Sequence, residues 1–129
     1  MRRDLQKLRG FWAAATLAFA GFVAYESTRR GGDPTVPDVS TATAYAGHFL
    51  LYGAIAFCAQ TALYRRSLFT VAAVTACCAV YGGLIEAYQS MLPGRESSAL
   101  DGLANLVGAA AGAAGAAFVL PWWPRWLRF

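Results

Sequence analysis

The sequence predicts an all-α integral membrane protein, a bundle of four transmembrane helices with both termini in the cytoplasm. Two observations carry this. Of 129 residues, 57% are hydrophobic and only 14% are charged, far more apolar material than a soluble domain of this size can bury. The apolar positions also fall into four runs separated by short polar breaks. A bilayer core about 30 Å thick takes roughly 20 helical residues to cross, so the chain has room for about four crossings and short loops. Residues 1–129 therefore read as one transmembrane domain.

The first run follows the basic segment Met1-Arg2-Arg3-Asp4-Leu5-Gln6-Lys7-Leu8-Arg9 and predicts a helix over about 10–26. It is short enough to resemble a signal peptide, and Ala18-Phe19-Ala20 offers a small-x-small cleavage site. Cleavage would discard one helix of an even set, so an uncleaved helix is expected. Gly31-Gly32-Asp33-Pro34 and Val36-Pro37-Asp38 then break the helix into a polar loop. The second run predicts a helix over about 44–63, closed by Arg65-Arg66 in a tight reversal. The third covers about 67–89, and after a loop containing Pro93-Gly94 the fourth covers about 99–120. Pro121-Trp122-Trp123-Pro124 ends it with tryptophans, which are enriched at membrane interfaces.

Orientation follows from the basic residues. Arg2, Arg3, Lys7, Arg9, Arg65, Arg66, Arg125 and Arg128 fall on one side of the four crossings, and Arg29, Arg30 and Arg95 on the other. Basic residues near helix ends are retained inside, so the termini and the Arg65-Arg66 turn are expected in the cytoplasm of a multi-pass cell-membrane protein. The same scatter explains the net charge of +4 without nucleic acid as a partner. Cys58, Cys77 and Cys78 lie in apolar runs and have no spacing with His48 that suggests zinc; they read as small packing residues, with no metal or cofactor expected. Gly108 and Gly112, with Gly115 a turn on, form a stripe that admits a neighbouring backbone. Packing inside one protomer is favoured, with a homo-oligomer contact through Gly108 and Gly112 as the alternative.

Chemistry is expected where polar groups gather at one interface. His48 near the start of the second helix, Glu86 and Gln89 in the last turn of the third, and Asp101 and Asn105 at the start of the fourth should all lie within one or two turns of the outer surface. His48 can serve as acid, base or ligand near neutral pH, with Glu86 and Asp101 to orient or polarise it. Each also has a structural reading. His48 suits an interface, Glu86 can accept from a neighbouring helix, and Asp101 meets the helix dipole favourably. Gln89 and Asn105 can act as hydrogen-bonding glue between helices. Arg95 can grip a phosphate or carboxylate in bidentate fashion or pair with Glu96 in the loop.

The string Glu86-x-x-Gln89, Pro93-Gly94-Arg95, Ser98, Asp101, Asn105, Gly108, preceded by His48 with Tyr52 four residues on, resembles the VanZ-like family over residues 44–113. Where members commonly carry D-K-x-x-H, Ala44 and Tyr45 stand in place of the Asp-Lys pair, and Asp38 is the nearest substitute. The resemblance implies a role linked to the glycopeptide teicoplanin, with catalytic candidates His48, Glu86 and Asp101 and binding candidates Arg95, Gln89, Asn105, Ser98 and Tyr52. The favoured function is an envelope accessory or binding role toward membrane lipids and lipid-linked or anionic molecules. The alternative is a membrane enzyme acting on such a molecule by His/carboxylate acid–base chemistry. Transport is disfavoured because no ionisable group is expected near mid-membrane.

Overall fold

A computed structural model describes residues 2–28, 41–93 and 98–122. It contains α1 (Arg2–Thr28), α2 (Thr41–Leu63), α3 (Leu68–Gln89) and α4 (Ala99–Val119), followed by a 3-10 turn over Leu120–Trp122, and no strand among the described residues. All four helices are long and apolar enough to cross a membrane.

Helix α1 exceeds the expected 10–26 at both ends. Leu5, Gln6, Lys7, Leu8 and Arg9 are good helix formers, and nothing from Glu26 to Thr28 breaks the turn, so the helix takes in both segments. Helix α2 likewise starts three residues before the expected position, which puts His48 about two turns in rather than one.

Large apolar side chains face outward, while the core combines small and apolar residues with a few polar ones. Phe11, Leu17, Leu68, Phe69, Leu84 and Phe118 are all more than 60% exposed, while Gln60, Thr61 and Asn105 are at most 2% exposed. An apolar periphery on this scale is unfavourable in water and suits a hydrocarbon surround.

The closest pair is α2 with α4, and glycine is the reason. A side chain on Gly108 would run into the backbone of Phe49, and one on Gly112 into the backbone of Gly53; a methyl group on Gly53 would lie 3.2 Å from the Gly108 carbonyl oxygen. Removing Cβ from both surfaces lets the helices touch through their backbones, and Ala109, Ala113 and Ala116 complete the buried face of α4. The stripe at Gly108 and Gly112 is thus filled by α2 of the same chain. Gly115 has nothing within 4 Å of an added Cβ.

Core residues recur every fourth position on the three inner helices: Tyr52, Ala56 and Gln60 on α2, Gly82, Cys78 and Val74 on α3, and Asn105, Ala109 and Ala113 on α4. The reversal between α2 and α3 is tight. Tyr64 takes the left-handed conformation at φ 52°, the buried Gln60 donates to the Arg65 carbonyl at 2.6 Å, and Ser67 caps α3 by accepting from the Thr70 amide. Helix α1 lies outermost. It is fixed by Val23 in the core, by Tyr81 Oη donating to the Ala20 carbonyl at 2.6 Å and by Arg9 Nε donating to the Ala62 carbonyl at 3.0 Å.

Two parts of the space among α1, α2 and α3 are hollow. The part toward the Arg65-Arg66 end is an apolar cleft of about 540 Å³, with Leu17, Ile55, Ala59, Val74 and Cys77 in its wall. The other part, at the far end of the bundle, is a cavity of about 330 Å³ whose wall mixes apolar and polar side chains. The Tyr81–Ala20 hydrogen bond ties α3 to α1 between the two.

Candidate functional site

The antiparallel course of α2, α3 and α4 brings the second turn of one, the last turn of the next and the first turn of the third to the same end of the bundle. Ligand atoms of His48, Glu86 and Asp101 there lie within 4.8 Å of one another. All three residues are partly buried, and both carboxylate oxygens of Glu86 are shielded from solvent.

The imidazole is held by its far nitrogen. His48 Nδ1 lies 2.9 Å from Asn105 Oδ1, an acceptor, so Nδ1 carries the proton and donates it. Nε2 then points to Asp101, with Oδ1 3.8 Å away, too long for a direct hydrogen bond. Asp101 sits in the first turn of α4, where the amide dipoles favour an anion, and Asn105 is its neighbour one turn on. One helix therefore supplies both the group that orients His48 and a carboxylate that faces it.

One turn deeper lies a supporting layer. Tyr52, Gly82 and Asn105 stand four residues from His48, Glu86 and Asp101 respectively, toward the bundle interior. A Cβ on Gly82 would lie 3.0 Å from the Tyr52 ring and 3.1 Å from Asn105 Nδ2, so the missing side chain is what admits both. Tyr52 Oη and Asn105 Nδ2 are buried without a hydrogen-bond partner among the described residues.

The cavity at this end reaches His48 from the α1 side. Glu26 and Ser27 of α1, His48 and Tyr52 of α2 and Gln89 of α3 contribute its polar wall.

The structure thus groups His48, Glu86, Asp101 and Asn105, and sets Gln89 and Tyr52 at the adjoining cavity. Ser98 is the N-cap of α4, its hydroxyl accepting from the Leu100 amide at 3.2 Å. Arg95 and Asp38 lie outside the described residues. Sequence reasoning missed Gly82 and the α1 wall. The signal for the wall was the i, i+3, i+4 spacing of Val23, Glu26 and Ser27, legible only once α1 is carried to Thr28. No protein-family model, curated protein or solved structure matches this chain.

Proposed function

We propose that this chain is a multi-pass cell-membrane protein, with both termini cytoplasmic, that holds an envelope lipid or lipid-linked molecule with its polar head at the His48 end. Two hollows among α1, α2 and α3 carry the reading. An apolar cleft and a cavity with a partly polar wall follow one another along the bundle on either side of the Tyr81–Ala20 hydrogen bond, the order of tail and head in a lipid. The excess of basic residues at the opposite end supports an outward-facing cavity. The VanZ-like resemblance agrees with an envelope role and makes teicoplanin susceptibility a cellular readout.

Lipids that copurify with the protein, identified by mass spectrometry, test the reading. Cys77 is exposed and lines the cleft, so Cys77→Trp should fill it without disturbing the core, and His48→Ala should alter the polar end. Each is expected to lower retention of one lipid class at least several-fold. Equal retention by both variants and the unaltered protein would sink the proposal.

The orientation of Nε2 toward Asp101 also favours the acid–base reading, in which His48 moves a proton on the bound head group. Cells carrying His48→Ala distinguish the two. Accumulation of a lipid species marks turnover, whereas lower retention with unchanged lipid composition marks binding alone.

A further inference from the structure

We propose that His48, Glu86 and Asp101 form a binding site for one divalent first-row metal cation. His48 Nδ1 is held by Asn105 Oδ1, Nε2 faces Asp101 Oδ1 at 3.8 Å, and a carboxylate oxygen of Glu86 completes a group of donors within 4.8 Å of one another. Two carboxylates and a ring nitrogen gathered within 4.8 Å repel unless a positive species joins them, either a proton on Nε2 or a cation. A dication satisfies all three at once.

The donor set has the form such ions take. One imidazole nitrogen and two carboxylate oxygens come from three different helices, and a hydrogen bond from the far ring nitrogen fixes the tautomer, as is usual behind a metal-bound histidine. Donors about 2.1 Å from a common ion lie roughly 3–3.5 Å apart. The present separations of up to 4.8 Å close with side-chain movements of about an ångström. The nitrogen donor favours Fe²⁺ or Zn²⁺ over Mg²⁺ and Ca²⁺, which prefer all-oxygen surroundings, and the carboxylate pair also suits Mn²⁺. Three protein ligands leave at least one coordination position for a water or for an oxygen of a bound molecule. The ion would also give an acidic cluster the means to attract a phosphate or carboxylate. Metal uptake rests on these side chains alone and not on the lipid proposal.

The test is Mn²⁺ binding to the purified full-length chain in detergent without added lipid, followed by paramagnetic resonance. Mn²⁺ is the probe because it has little affinity for the thiols of Cys58, Cys77 and Cys78. One ion per chain is expected, with echo modulation from a single imidazole nitrogen that vanishes in His48→Ala. Glu86→Gln and Asp101→Asn keep side-chain shape and should weaken binding at least tenfold; Asn105→Ala should weaken it about 10–100-fold by freeing the ring. Absence of stoichiometric binding up to millimolar Mn²⁺ overturns the site. So does binding that both carboxylate variants retain in full, or complete displacement by a tenfold excess of Mg²⁺. Because lipid is absent, none of these results bears on lipid retention.

Discussion

Gly112→Leu is expected to abolish the native bundle. The new side chain would start inside the Gly53 backbone, and a backbone, unlike a side chain, has no rotamer into which it can retreat. Overpacking a core that can adjust costs about 1–3 kcal/mol. Forcing α2 and α4 apart should cost about 3 kcal/mol or more, a large share of the roughly 5–15 kcal/mol that holds a protein folded. The expected result is a purified protein that aggregates or melts at much lower temperature. Gly115→Leu lies on the same helix with nothing within 4 Å of its added Cβ, and its melting temperature should stay close to that of the parent. Equal losses in the two variants would mean that α2 does not occupy the stripe.

Gly82→Leu should damage the site and the fold together. Its side chain would meet the Tyr52 ring and the Asn105 amide, which support the layer of His48, Glu86 and Asp101 from below. Both neighbours are side chains and can move, so the cost should stay near 1–3 kcal/mol. The movement displaces Asn105, the acceptor that fixes His48, and Mn²⁺ binding should fall at least tenfold even below the melting transition. Gly83→Leu, next along the helix and facing outward with nothing within 4 Å, should leave both properties near those of the parent. If Gly82→Leu bound the ion as tightly as the parent, the supporting layer would have no hold on the site.

The four helices were legible because hydropathy over about 20 residues reports crossings directly, whatever the packing. The site was legible for a related reason. Against an apolar background, His48, Glu86, Asp101 and Asn105 stand out, and their places near helix ends put them in one layer before any contact is known. Inner and outer faces were harder to tell apart. Leu84 and Val74 are both apolar, yet one faces outward and the other is buried, so hydrophobicity has no contrast to offer when lipid replaces water. Small and polar residues mark the inner face instead, as Gly53, Gln60, Gly82 and Gly108 do. Gly82-Gly83 shows the limit: one glycine is enclosed by Tyr52 and Asn105 and its neighbour faces open space, and only the rotation of α3 decides which. The α1 wall of the cavity was hidden by placing the helix end before Ser27.

The chain contains a single histidine, so nitrogen-15 labelling of histidine gives one imidazole signal set that reports on the site alone. The spectrum should be taken on metal-free protein at alkaline pH. The expected result is a proton on Nδ1 and none on Nε2, a preference lost in Asn105→Leu, with Nε2 shifting in both Glu86→Gln and Asp101→Asn. A proton on Nε2, together with indifference to both carboxylate variants, would contradict the convergence of the three helices on His48.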